Sequence, residues 1–291
     1  MDFTLRKYRS LLSALKEKGY EFLSFEEYFH RGGTRVCILR HDVDKMPGNA
    51  LKMSAVEKKS GIRASYHVRY PSSKSYRQTI RKLASEGHEI AYHYEELDVI
   101  SKARFGYGKR LFLRSNFRNS HEDAEYSECL EQAVELFESR LKVMRGFYPL
   151  KVISMHGSPL APFDNRDIWK IRNYRDFGLE CEVYFDIDYS RVLYLTDTGG
   201  RWDGNLYNMR DRPAGTHQTK PGPDFRSEFS FSSTLAIIDA LRENSLPPEL
   251  IINTHPQRWN DNILVWLSEK IWQNLKNILK KALIKNRYNS G

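Results

Sequence analysis

Short apolar runs rich in β-branched residues alternate along the chain with segments of helical spacing, and this alternation restricts the fold more than any other feature. Val36–Asp44 (VCILRHDVD) turns polar at its end and is broken by Pro47 and Gly48. Asn49–Lys59 then carries Leu51, Ala55 and Val56 at helical spacing and closes at Gly61. Ala64–Tyr70 predicts a second strand, Tyr76–Ser85 a helix ending at Gly87, and Glu89–Glu95 a third strand. Further on, the pattern predicts a helix over His121–Lys142 and a strand at Lys151–His156. It adds strands at Glu180–Phe185 and Val192–Thr196, a helix at Ser232–Glu243 and a strand at Glu249–His255. Helices at both ends, about 4–18 and 261–286, complete the reading. Repeated strand–helix units imply parallel strands with crossover helices. No Ser/Gly/Pro linker divides the chain and no repeat or low-complexity tract is found. Residues 1–291 therefore read as one α/β domain, with a barrel favoured over a doubly wound sheet because polar residues gather at the strand ends.

Composition narrows the class. With 40% apolar and 29% charged residues in 291, the chain is globular rather than disordered. Cys37, Cys129 and Cys181 are too few and too widely spaced for a disulfide scaffold. No run approaches the roughly 18 apolar residues of a membrane span. The first helix places Leu5, Leu11, Leu12 and Leu15 among charges, without the apolar core of a secretory signal, so a soluble cytoplasmic protein is expected. The net charge of +9 is local. Lys102, Arg104, Lys109, Arg110, Arg114 and Arg118 lie in a stretch without acids, and no acid follows Glu269, where Lys270, Lys276, Lys280, Lys281, Lys285 and Arg287 stand. That distribution argues for one or two anion-facing patches and against a general nucleic-acid coat.

Reactive side chains sit where the strands end: Asp42 and Asp44 on one, His93 and Glu95 on another, then His156 and His255. Alternation along a strand puts Asp42 and Asp44 on one face, and His93 and Glu95 likewise. In parallel α/β folds the carboxyl ends of the strands form one rim, where sites are built. Carboxylates and imidazoles converging there suit a divalent ion of the zinc or manganese kind, which acidifies water and polarises a carbonyl.

ILRHDVD followed by GHEIAYHYEEL resembles the first two motifs of the polysaccharide deacetylase superfamily, the NodB-homology domain of carbohydrate esterase family 4. The spacing of about fifty residues fits, and INTHP resembles the last motif. The similarity covers Val36–Glu96 well, and Val152–Ser158 and Leu250–Pro256 more loosely. It implies a distorted (β/α) barrel of about seven parallel strands, a divalent metal, with zinc expected, and removal of an N- or O-acyl group from a sugar. By position, Asp42 matches the general base, Asp44 the metal-binding Asp, His93 the first metal-binding His and His255 the general acid. Two departures stand out. Leu97 occupies the place of the second metal-binding His, and MHGSP replaces an Arg-Pro-Pro-type segment. His156 is the first choice for the missing ligand and Glu95 its competitor, with Glu96 and His67 behind them.

Other residues carry weaker readings. His88 is expected to be structural, His41 to pack on the face opposite the Asp pair, and Arg40 to orient a carboxylate or form an ordinary ion pair. Asp197, Arg201 and Trp202 stand in a Gly-rich loop that either presents them to a sugar or is a plain turn. Asp164 reads as a helix cap, and Asp186 and Asp188 as a turn. The Lys102–Arg118 stretch, interleaved with Phe105, Tyr107, Phe112 and Phe117, reads either as an anion site or as a solvated loop over the barrel. The apolar stripe of the last helix is expected against the core, with its lysines as a route to anionic lipid head groups. The expected substrate is a sugar or glycan precursor, nucleotide- or lipid-linked, with acetyl the first choice of acyl group and nucleic acid not a partner. The alternative is an inactive barrel that binds a carbohydrate or nucleotide.

Overall fold

The computed structural model describes residues 1–116, 124–157, 163–202 and 229–274. The chain opens with α1 (Leu5–Glu17), β1 (Glu21–Leu23), α2 (Phe25–Arg31), β2 (Val36–Val43), α3 (Pro47–Lys59) and β3 (Ser65–Val68). It continues through α4 (Lys74–Ser85), β4 (Glu89–Tyr94), α5 (Glu96–Asn116), α6 (Ala124–Arg145) and β5 (Val152–Met155). Then come β6 (Cys181–Glu182), the single turn α7 (Val183–Asp186), β7 (Leu193–Thr196), α8 (Thr234–Arg242), β8 (Glu249–Thr254) and a final helix at 263–274. Every strand pairing is parallel. The order β6-β5-β4-β3-β2-β8-β7, with β1 also on β2, curls into the half-barrel of a distorted (β/α) fold.

The central strand β2 explains why the site lies where it does. All eight of its residues are buried, as a strand covered on both faces must be. Cys37, Leu39 and Val43 join the large core under α1, α3 and α4. Val36 and Ile38 face inward with Leu23, Phe25, Ala91, Val152 and Ile251. These side chains fill the floor of the half-barrel. Two residues further along each strand, the inward positions are Arg40, His93, Ser154 and Asn253, all buried. A period of two thus carries each strand from an apolar floor to a polar rim.

Several elements differ from expectation. The strand expected over Glu180–Phe185 lasts only two residues, because Asp186 Oδ2 accepts from Glu182 N (2.7 Å) and Glu182 Oε2 accepts from Tyr184 N (2.7 Å). Those side-chain acceptors take N–H groups that a longer strand would pair. The basic stretch is helical as far as Asn116, interrupted at Gly106, whose φ of 63° suits glycine. Arg104 there pairs with Glu128 on the surface. β1 and α2 carried no sequence signal strong enough to predict; Ser24 and Glu27 close a capping box at the start of α2. In the final helix, Ile271 and Trp272, the described members of the stripe expected on the core (with Leu275, Ile278, Leu279, Leu283 and Ile284), are exposed, as are Ile263, Leu264 and Leu267 before them. His121, Phe117, Arg118, Asp203 and the expected helix beyond residue 274 lie outside the described residues. Among the described residues no helix is long and apolar enough to cross a membrane.

Candidate metal centre and active site

Five side chains from four strand ends converge at the rim. Asp44 Oδ1 lies 3.7 Å from both His93 Nε2 and His156 Nε2, and Asp44 Oδ2 lies 3.8 Å from His255 Nε2. Asp42 Oδ2 is 4.0 Å from the Nε2 atoms of His93 and His255. The deeper groups, Asp42 and His93, are almost wholly buried, whereas the side chains of Asp44 and His156 retain 18% and 19% exposure at the mouth. The site is therefore graded from protein interior to solvent.

Hydrogen bonding assigns the ring nitrogens. His93 Nδ1 lies 3.2 Å from the backbone oxygen of Ser154, which can only accept, so Nδ1 carries the proton and Nε2 presents a lone pair. Ser154 Oγ accepts from His93 Nδ1 (2.9 Å) and from Arg40 Nη2 (3.2 Å), which leaves its own proton for His67 Nδ1 (2.7 Å). His67 then holds its proton on Nε2, a buried atom without a hydrogen-bond partner. Asp42, His67 and His93 lie close enough to share an ion, but a protonated Nε2 and the nearby Arg40 guanidinium oppose one there. Asp44, His93 and His156 form the other such group in this region.

The second group fits a divalent cation on three counts. Asp44 Oδ1 is buried without a hydrogen-bond partner, although two imidazole nitrogens flank it. Donors 3.7 Å apart are close to the spacing of two ligands each about 2.1 Å from one tetrahedral ion, about 3.4 Å. Both imidazoles have a group behind them: His93 hydrogen-bonds Ser154, and His156 makes an ion-pair contact with Glu95, whose Oε2 is 3.1 Å from His156 Nδ1. Arg69 in turn clamps Glu95 through three contacts of 2.5–2.9 Å. Glu95 thus stands behind His156 rather than in place of it.

Electrostatics follow burial and neighbours. Burial and the His156 charge hold His93 well below the ordinary histidine range, so it is neutral, as a ligand must be. Burial works against a charge on His156, but Glu95 and Asp44 outweigh it and raise the imidazole. Burial alone would raise Asp42; Arg40, His255 and His67 more than offset it and bring the carboxyl to about 2. Arg40 does so by a two-point contact along its own strand, Nε to Oδ1 at 2.8 Å and Nη2 to Oδ2 at 3.1 Å. Asn253 adds a third donor to Oδ2 at 2.9 Å.

His255 directly follows β8, with its Nδ1 2.6 Å from Asp197 Oδ1. Asp197 follows β7 and is completely buried. It also accepts from His255 N (3.0 Å), Arg258 Nη1 (2.6 Å) and Trp259 Nε1 (2.8 Å). Because a carboxylate only accepts, His255 Nδ1 carries a proton and Nε2 is the nitrogen aimed at Asp42 and Asp44.

The sequence reading of the Gly-rich loop is corrected here. Asp197 holds His255 instead of facing a sugar, and Trp202 is buried against Phe3 and Trp259 with its indole on Thr234 Oγ1 (2.9 Å). Their positions carried a usable signal, since Asp197 follows a strand directly, as His255 does. Ser154 and Asn253, unremarkable in sequence, each lie two residues before a rim residue and so face the same way, as does Arg40, whose carboxylate partner is Asp42. The readings of His41, His88 and Asp164 fit the structure. His41 lies on the outer face between Thr254 and Glu57, and His88 Nδ1 accepts from Ala64 N at 3.2 Å. Asp164 caps the turn at Asn165–Lys170, and Asp186 ties down Tyr174 and Arg175.

Among solved structures, the chain is similar to the catalytic domain of a peptidoglycan N-acetylglucosamine deacetylase from Eubacterium rectale, at 12% identity over 84% of this chain and 86% of that one, TM-score 0.39. It is similar to a family 4 carbohydrate esterase from Bacillus anthracis at 16% identity, over 82% and 88%, TM-score 0.35. A polysaccharide deacetylase from Bacillus cereus gives 13% identity, over 85% and 89%, TM-score 0.37. No family model and no curated protein matches the chain.

Proposed function

We propose that the protein is a metal-dependent hydrolase that removes an acyl group, N-acetyl first, from a sugar or glycan precursor. The convergence of the Nε2 atoms of His93, His156 and His255 on the Asp42–Asp44 pair carries this reading. The motif resemblance of ILRHDVD, GHEIAYHYEEL and INTHP agrees with it.

In this reading Asp44, His93 and His156 hold a divalent ion, zinc by the donor set. When bound, the ion polarises the acyl carbonyl and makes water acidic at neutral pH. Asp42 takes one proton from the attacking water as its oxygen bonds to the acyl carbon. Arg40 and Asn253 fix the carboxylate's orientation for that step. His255 passes a proton from Nε2 to the leaving nitrogen as the C–N bond breaks, giving a free amine and acetic acid, which ionises to acetate. Asp197 keeps the other ring nitrogen protonated and the imidazole in place. Deep burial of Asp42 and His93 limits water around the charges and strengthens their interactions.

The test is acetate release from N-acetylated sugar nucleotides, lipid-linked sugars and chito-oligosaccharides by zinc-loaded protein. We expect release that disappears with Asp44→Ala together with about one equivalent of metal. No release from any of the three substrates by protein that holds its metal refutes the proposal.

A further inference from the structure

The helix at 263–274 is assembled inside out. Its inward side is Trp266, whose indole donates to Asp2 O at 2.7 Å, half-buried Glu269, and buried Gln273, which sits beside Gly200. Its outward side carries Ile263, Leu264, Leu267 and Ile271, from 46% to 74% exposed, with Trp272 at 53%. At 100° per residue, Ile263, Leu264, Leu267 and Ile271 fall within a stripe about 100° wide. These five residues are a large share of the twelve big apolar side chains exposed among the described residues, so they form a patch and not a scatter.

Charge identifies the occupant. From Lys270 to the last residue the sequence contains Lys270, Lys276, Lys280, Lys281, Lys285 and Arg287 and no acid. With Glu269 on the inward side, the stripe is followed in sequence by five further cations and no acid, a composition that matches a surface apolar beneath and anionic on top. A second copy of the chain fits less well. One short helix face offers far less than the roughly 800 Å² per partner of a stable dimer, and a two-fold contact would bring the cations together.

We propose that this helix docks the chain on an anionic lipid bilayer as a peripheral contact. It begins eight residues after His255, separated by the turn Pro256–Arg258, so it leaves the sheet from the end that bears the site. A docked chain holds its rim close to the bilayer, which favours a lipid-linked sugar as substrate. That consequence rests on the hydrolase reading above, whereas the docking does not.

Co-sedimentation of the full chain with vesicles tests the docking. We expect binding to vesicles of phosphatidylcholine with one-third phosphatidylglycerol, and at least about tenfold weaker binding to phosphatidylcholine alone. The pair Leu267→Glu and Ile271→Glu should abolish binding while leaving the thermal melt unchanged. It should also leave acetate release from a soluble substrate unchanged, wherever the parent shows any. Absence of binding to the anionic vesicles, or binding that survives the double substitution, overturns the proposal. So does a dimer in solution that the same substitutions dissociate, combined with no vesicle binding. Loss of the hydrolase reading alone would leave the vesicle result standing.

Discussion

Replacing Asp197 with Asn probes the site where its geometry is most exacting. The carboxylate receives four N–H donors, at 2.6 Å from His255 Nδ1, 3.0 Å from His255 N, 2.6 Å from Arg258 Nη1 and 2.8 Å from Trp259 Nε1. A carboxamide of the same shape turns one acceptor into a donor, and both of its sides already face donors. Burial pushes the Asp197 carboxyl up, but Arg258 and His255 outweigh it and bring it to about 2, against an ordinary 3.8. That gap corresponds to about 2.5 kcal/mol of preference for the charged form. Asp197→Asn should therefore lower the unfolding free energy by about 2–3 kcal/mol in urea denaturation. It should also lower kcat by about 10²–10⁴-fold at nearly constant KM, because His255 loses the partner that sets its tautomer. The same change in a His255→Gln background should cost no further kcat and a smaller loss of stability, from the Arg258, Trp259 and backbone contacts alone, which separates orientation from folding. A folded Asp197→Asn protein with kcat within about threefold of the parent, or with its whole loss in KM, would refute the argument.

Three further outcomes follow from the same contacts. Glu95→Gln should weaken metal affinity by about 10–100-fold in chelator competition, since the group behind His156 changes but no ligand is removed. Arg40→Met should cost about 3–5 kcal/mol in chemical denaturation, because it leaves the buried Asp42 carboxylate without its cation. Glu182 is buried, which raises its carboxyl to about 7, so between its ordinary 4.5 and 7 the native chain binds a proton that the unfolded chain releases. Stability should therefore fall as pH rises through that window, by about 3 kcal/mol, and Glu182→Gln should remove that part of the pH dependence in denaturation curves.

Much of the fold was legible in the sequence. β2, β4, β5 and β8 announce themselves as apolar runs that turn polar at their ends, and Gly or Pro punctuates most helices between them. Parallel pairing follows because each strand is separated from the next by a helix-length segment. β1 and α2 were not legible. A three-residue strand shows no period, and α2 is seven residues with Phe25 as its one buried side chain, so neither presents a stripe. The Cys181–Glu182 strand was over-read, since its neighbours are diverted by the side chains of Glu182 and Asp186.

For the site, the sequence by itself determined which chemistry was available. Strand-end carboxylates and imidazoles follow from alternation along single strands, and alternation is a local property. What joins across strands was decided by tertiary structure. Only the register of β4 on β5 puts Ser154 beside His93, and Ser154's single hydroxyl proton then separates the roles of His93 and His67. Only the curl of the sheet brings His156 to Asp44, with Glu95 behind it. Asp197 could be read as a loop residue until β7 was seen against β8, where Asp197 N bonds Asn253 O at 3.2 Å and its side chain meets His255. The last helix shows the opposite case. Its periodicity is plain in the sequence, but periodicity defines a stripe without saying which way it faces. The anchoring of Trp266 on Asp2 leaves Ile263, Leu264, Leu267 and Ile271 toward solvent.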